Sequence, residues 1–468
     1  MQISPLAQFF DDFAKTLDVP DLLNSLRDGL VGKGMQIDTP TGRKKMVYAD
    51  YVASGRALMQ IERAMLEQVL PYYANAHTED SCCGHAMTSL REDARRVVSD
   101  VCGATAEHAT IFCGAGATAG LNKTVALLGV PQALAAGRRV VVLVGPYEHH
   151  SNLLPWRESG AEVVEIAEAK AGGIDLDDLR AKLDAAKDAM VLGAFSAASN
   201  ITGICSDVVT VTKLLKRHGA ISVWDYAGGG PYIPISMSPA SGAEIDAIIT
   251  SPHKFIGGPG ASGVMIIRRD VIAINHPTAP GGGTVRYVNA QVHDYLECPI
   301  AREEAGTPNT LGDIRTALVF LVKAAIGEVM QSRNATLTAR AFDVLGKATA
   351  IDILADQHRN RLPIFSFRIA DGAGGWVDPS EATQMLSDQF GIQARGGCAC
   401  AGPYAHRLLA ISEADASGLR QEILAGNFAN KPGFVRLNFS VLMEDETVDF
   451  ILRSIVELAN AAQEKAAA

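Results

Sequence analysis

Five short apolar runs in the middle of the chain limit its possible folds more than any other feature. Residues 139–144, 190–195, 220–225, 247–251 and 263–267 are almost continuous in Val, Ile, Leu, Phe and Ala. Runs without polar alternation suit strands buried on both faces, as in parallel sheets. Between them, residues 176–186 and 208–217 carry apolar side chains at helical spacing. Strand and helix in alternation predict an α/β fold with a mostly parallel sheet. After about residue 325 the pattern changes. A long helix is expected over 311–333, leading to a smaller α+β part. Its strands are expected near 364–369, 391–395 and 434–438, with a final helix over 446–462. Residues 1–45 place Leu22, Leu23, Leu26, Leu30 and Val31 at helical spacing. The expected domains are therefore an N-terminal helical segment (1–45) packing with the small domain, a large domain (46–325) and a small C-terminal domain (326–468). A chain of 468 residues is long enough for two such cores.

Against this background Lys254 stands out. It lies in Thr250-Ser251-Pro252-His253-Lys254-Phe255, straight after the strand-like run 245–249 and ahead of Gly257-Gly258-Pro259-Gly260. A lysine at a strand end, flanked by Ser and His, is suited to form a Schiff base with pyridoxal 5′-phosphate (PLP). That chemistry needs a reactive amine, a phosphate cradle and a carboxylate for the pyridine nitrogen. Asp225 closes the run 220–224 at the end of a central strand, where α/β sheets bind ligands. Locally it is equally suited to a turn or N-cap role before Gly228-Gly229-Gly230. With Lys254 following, the pyridinium role is preferred.

Gly114-Ala115-Gly116-Ala117-Thr118 follows the strand-like 109–112 and opens a helix, so its backbone amides and Thr118 can face a phosphate. Ser251 and His253 can add donors. His149, in Glu148-His149-His150-Ser151-Asn152, can stack on a flat ring and move protons. Arg395-Gly396-Gly397-Cys398-Ala399-Cys400 puts thiols on a glycine-rich loop, as a mobile nucleophile requires, though a plain turn has the same composition. No second spaced Cys/His pair accompanies it, so no metal site is expected. Arg436, inside an apolar strand, needs a partner: a substrate carboxylate or a protein acid.

Together these residues resemble class V aminotransferase-fold enzymes, nearest to the cysteine desulfurase/selenocysteine lyase branch, with some similarity to the N-terminal part of molybdenum cofactor sulfurases. The likeness runs from Tyr48 to Leu458. Its most specific parts are Glu148 to Trp156, Ser199-Asn200-Ile201-Thr202-Gly203, Ser251-Pro252-His253-Lys254, Glu304-Ala305-Gly306-Thr307-Pro308-Asn309 and Arg395 to Cys400. The resemblance implies the fold type I of PLP-dependent transferases. It gives Lys254 the cofactor amine, Asp225 the pyridinium, His149 the ring-stacking place and Asn200 a place near the cofactor hydroxyl and substrate. Ala117, Thr118, Ser251 and His253 match the phosphate cradle, joined by Thr284 from the partner of a homodimer. Arg436, with Arg395 nearby, matches the substrate clamp, and Cys400 the residue that takes sulfur as a persulfide. The implied reaction converts L-cysteine to L-alanine, with a protein or small molecule as the eventual sulfur acceptor. The alternatives are a class V aminotransferase or lyase acting on another amino acid and, further off, a silent PLP-binding sulfur relay. One departure bears on them: Gly228 stands where the family pattern has a glutamine that contacts the cofactor hydroxyl.

Composition excludes other classes. The net charge of −10 argues against nucleic-acid binding, and no apolar stretch is long enough to cross a bilayer. Met1 to Asp12 lacks the basic region of an export signal. The eight cysteines are then expected as reduced thiols in the cytoplasm.

Overall fold

The computed structural model describes residues 6–76, 78–428 and 431–467. Its large domain is built on a seven-stranded sheet. The strands are β1 His108–Phe112, β2 Val140–Val144, β3 Glu162–Glu165, β4 Met190–Ser196, β5 Ile221–Asp225, β6 Ala247–Thr250 and β7 Val264–Arg268. Their order across the sheet is β1-β7-β6-β5-β4-β2-β3. Pairs from β3 to β6 are parallel, whereas β7 runs antiparallel to both of its neighbours, β1 and β6. The strands are continuously apolar because both faces are covered: Val141 and Leu143 enter one core, Val140, Val142 and Val144 the other. Edge strand β3 is half exposed and begins and ends in Glu, so it carries no comparable apolar run.

The small domain is a four-stranded antiparallel sheet of β8 Ile351–Ile353, β9 Ile364–Ile369, β10 Arg395–Gly397 and β11 Phe434–Asn438, in the order β8-β9-β11-β10. Phe365, Phe367, Val435 and Leu437 pack with residues of helices Gly327–Leu345, Pro379–Phe390 and Asp445–Ala467 in a core of their own. The single helix expected over 311–333 is two helices, Thr310–Ala325 and Gly327–Leu345, meeting at Ile326. Gly327, a poor helix former, marks the joint.

The N-terminal segment does not pack as a unit on the small domain. Helix Phe9–Leu17 buries Phe9, Phe10, Phe13 and Leu17 in a large-domain core, against helices Cys82–Val101 and Thr310–Ala325. These four apolar side chains share one face of the helix, and removing that face from water favours its seat in the large-domain core. The hairpin, Gln36–Thr39 with Gly42–Lys45, reaches the small domain, where the Thr39 hydroxyl donates to Asp388 O at 2.7 Å, and Lys33 ahead of it pairs with Glu444 at 3.1 Å. The chain then pairs Val47–Tyr48 in parallel with Ile392–Gln393 and puts Val47, Ala49 and Tyr51 into the small-domain core, so residues from 46 onward first serve that domain. Residues 50–55 cross to the large domain. There the Gly55 amide donates to His253 O at 2.9 Å, and a Cβ on Gly55 would lie 1.7 Å from Phe255 O. Among the described residues no helix is long and apolar enough to cross a membrane.

Candidate active site

The C-terminal ends of β2, β4, β5 and β6 share one edge of the sheet, the position at which open α/β sheets bind ligands. A pocket of about 310 Å³ opens there, roofed by the small domain. It is lined by Ala117, Thr118, His149, Asn200, Asp225, Ser251, His253, Lys254, Arg395, Cys400 and Arg436, so eleven of the twelve residues singled out above converge. Thr284 is the exception. In its own chain it is covered, and its hydroxyl donates to Gly281 O at 2.6 Å.

Lys254 sits on the one-turn helix Pro252–Lys254 that follows β6. Burial pushes its pKa down, and the charge of nearby Asp225 opposes the shift. The outcome favours the neutral, nucleophilic amine. Asp225 ends β5, is 3% exposed and accepts the Ala227 amide at 2.8 Å. Burial raises its pKa, while that amide and Lys254 pull it back.

The glycine-rich turn is locked to the lysine turn. Ser251 Oγ accepts the Ala117 amide at 2.8 Å, and His253 Nδ1 donates to Ala115 O at 2.9 Å. Gly116 lets the two turns meet, since a Cβ there would lie 3.0 Å from the His253 ring and 3.1 Å from Ser251 Oγ. Helix Ala117–Leu127 starts at this point, with the Thr118 hydroxyl 2.8 Å from Ser151 Oγ.

The motif from Glu148 to Trp156 divides its labour. Glu148 is buried and ties three elements together. It accepts the Gly145 and Ser196 amides at 3.1 and 2.9 Å and the Asn152 side chain at 2.5 Å, and Asn152 in turn accepts Trp156 Nε1 at 3.2 Å. His149 caps helix His150–Glu158 by accepting the Ser151 amide on Nδ1 at 3.1 Å. The neutral ring therefore carries its proton on Nε2. Burial, helped by Lys254, holds its pKa down at about 4, so the neutral form prevails near neutral pH.

Asn200 follows β4 in a turn whose Ser199 hydroxyl accepts the Ile201 and Thr202 amides, each at 3.1 Å. Its Nδ2 donates to Ala399 O at 2.7 Å, while its buried Oδ1 has no partner. Of the two partners considered for Arg436 on β11, the structure shows the protein acid. Nη2 donates to Asp50 Oδ1 at 3.0 Å and Nη1 to Asn200 O at 3.1 Å, and buried Nε has no partner. The other oxygen of Asp50 accepts Arg395 Nε at 2.9 Å. One carboxylate between two guanidinium groups leaves a net positive charge at the pocket mouth, suited to an anionic substrate group. Asp50, Val52 and Ala53 were not foreseen as site residues; a lone Asp after a two-residue strand carries no local signal.

Cys400 is exposed on the loop after β10, and it and Ala399 adopt φ of 55° and 52°. Non-glycine residues take that conformation at a cost, met only where surrounding contacts impose it. Cys398 points elsewhere: its thiol donates to Pro432 O at 2.7 Å, and burial raises its pKa.

Comparison with known proteins accords with this geometry. The family described as aminotransferase class-V matches residues 47–451. A Pyrococcus abyssi protein named "Probable cysteine desulfurase" is 29% identical over 373 residues, covering 78% of this chain and 87% of the relative. The cysteine desulfurase CsdA of Escherichia coli is 27% identical over 75% of this chain and 85% of its own length. The apo structure of the Thermococcus onnurineus cysteine desulfurase superposes with a TM-score of 0.72 at 26% identity, covering 89% of this chain and 95% of that one.

Proposed function

This chain belongs to the class-V aminotransferase family, and from that premise we propose that it is a PLP-dependent cysteine desulfurase. The observation that carries the proposal is the convergence of Lys254, Asp225 and His149 with an accessible thiol, Cys400, in one pocket beneath a guanidinium pair.

The residues present fit the cofactor. Gly116 leaves a cradle that a Cβ would fill, Asn200 Oδ1 is a buried acceptor awaiting a donor, and Asp225 can hold a protonated ring nitrogen. Lys254 would attach PLP, Ala117, Thr118, Ser251 and His253 would hold its phosphate, and His149 would cover its ring. When bound, PLP supplies an electron sink that stabilises negative charge at the substrate α-carbon.

The protein's own groups do the rest. Arg436 and Arg395 orient the substrate carboxylate, and Asp50 keeps the two guanidinium groups in place. Lys254 Nζ, neutral when released, takes the α-proton. Cys400 Sγ, as thiolate, accepts the substrate sulfur. The overall change is balanced: L-cysteine and the Cys400 thiol become L-alanine and a Cys400 persulfide. The expected homodimer is part of the proposal. The hairpin Val285–Val288 to His293–Tyr295 beside Thr284 exposes Tyr287, Val288 and Val292, an apolar surface suited to a second copy. Alkylation after L-cysteine treatment tests the reaction. Peptide mass spectrometry is expected to find one added sulfur on Cys400, and none in a Cys400→Ser variant that still binds PLP. An unmodified Cys400 in protein that turns over cysteine overturns the persulfide step.

A further inference from the structure

Three hydrogen bonds tie the Cys400 loop to the large domain. Asn200 Nδ2 donates to Ala399 O at 2.7 Å, the His150 amide donates to Cys400 O at 2.9 Å, and the Gly402 amide donates to His150 Nε2 at 3.0 Å. Two of the three belong to His150. Its neighbour His149 faces the cofactor pocket, and the two rings lie 6.1 Å apart. We propose that His150 is a positioning residue for the desulfurase reaction, gripping the loop at the carbonyl of the nucleophile itself and two residues beyond it so that Cys400 Sγ stays over the pocket.

Four observations support this role. The loop needs an external hold, because Ala399 and Cys400 are both in the left-handed region without being glycine. Position 402 is built for the contact, since a Cβ on Gly402 would lie 3.2 Å from His150 Nε2. The grip also requires an unprotonated Nε2, because an imidazolium offers only donors. Burial, with a smaller effect from Arg157, lowers the His150 pKa and keeps the ring in that accepting form. His150 sits on the first turn of helix His150–Glu158, which Glu148, Asn152 and Trp156 fasten to the sheet, so the grip has a rigid base.

This inference rests on the proposed desulfurase reaction for its kinetic consequence, but not for its structural one. The test compares wild type with His150→Phe, which removes the acceptor and keeps a ring, and His150→Gln, which returns an acceptor. Amide exchange is read by mass spectrometry on peptides covering 396–404, and kcat and KM for L-cysteine are measured on the same PLP-loaded preparations. Losing one net hydrogen bond is worth up to roughly tenfold in the loop equilibrium. In His150→Phe, exchange in this peptide is expected to quicken by about that factor, and kcat to fall about as much with KM unchanged. His150→Gln is expected to recover most of both. Identical exchange in His150→Phe and wild type overturns the proposal, as does faster exchange with unchanged kcat. If wild type forms no alanine, the desulfurase reading fails while the exchange comparison still decides whether His150 holds the loop.

Discussion

Replacing Glu304 by alanine is expected to loosen the large domain beneath the phosphate turn. Glu304 opens the segment Glu304 to Asn309 noted in the sequence and serves as a buried hub. It pairs with Arg91 at 2.5 Å and with Arg95 at 2.7 Å, all three side chains being 5–7% exposed. It also accepts the Phe112 amide at 2.7 Å, at the end of β1 where the chain enters the turn Cys113 to Gly116. Breaking a buried pair by removing one partner costs about 3–5 kcal/mol, and orphaning a buried amide about 1–3 kcal/mol. Arg91 keeps Asp313 at 2.6 Å and Arg95 keeps Glu92 at 3.1 Å, so the low ends apply and the loss is about 4 kcal/mol. For a domain of this size that corresponds to roughly 8 °C in Tm. Thermal denaturation followed by intrinsic fluorescence measures it, and the PLP retained after gel filtration measures its effect on the turn. A fall of less than about 2 °C with full PLP retention would refute the hub role.

Three further outcomes are expected. His149 has its pKa held at about 4 by burial, against an ordinary 6.5, so the unfolded chain takes up the proton first as pH falls. Stability of the PLP-free protein is then complete above about pH 6.5 and falls by roughly 3 kcal/mol by pH 4. In urea titrations His149→Asn, which keeps an acceptor for the Ser151 amide, is expected to flatten that dependence. Gly228→Gln would put a Cβ 3.1 Å from Ala198 O, a contact that a small shift relieves. It is expected to move the pH at which the absorbance of bound PLP titrates, and superimposable titrations would show that Gly228 does not tune the cofactor. Lys254→Ala is expected to lose all covalently held PLP, read as the absence of a borohydride-fixed adduct on the 254 peptide.

The large-domain strands were legible because burial on both faces leaves an unbroken apolar run, as in Val140 to Val144. Edge strand β3 was not legible, because one side meets solvent and its ends are Glu162 and Glu165. Phe9, Phe10, Phe13 and Leu17 announce an apolar helix face, but not which of two cores receives it. At the site, Lys254, Asp225 and His149 could be placed because Asp225 ends a strand and the other two follow one, and sheet topology fixes where those strands end. The need of Arg436 for a partner was visible in its apolar strand. The identity of that partner was not, since Asp50 comes from the far end of the chain and meets it only through the tertiary fold. The two bonds made by His150 escaped notice for the same reason: Cys400 and Gly402 approach it from another domain.

Incubation of the purified, PLP-loaded protein with L-cysteine and a thiol reductant, quantifying alanine and sulfide in the same samples, tests the desulfurase assignment most directly. Alanine and sulfide are expected in equal, catalytic amounts. Pyruvate in place of alanine, or no alanine from protein that retains its cofactor absorbance, would contradict the assignment and leave a class-V enzyme acting on a different amino acid.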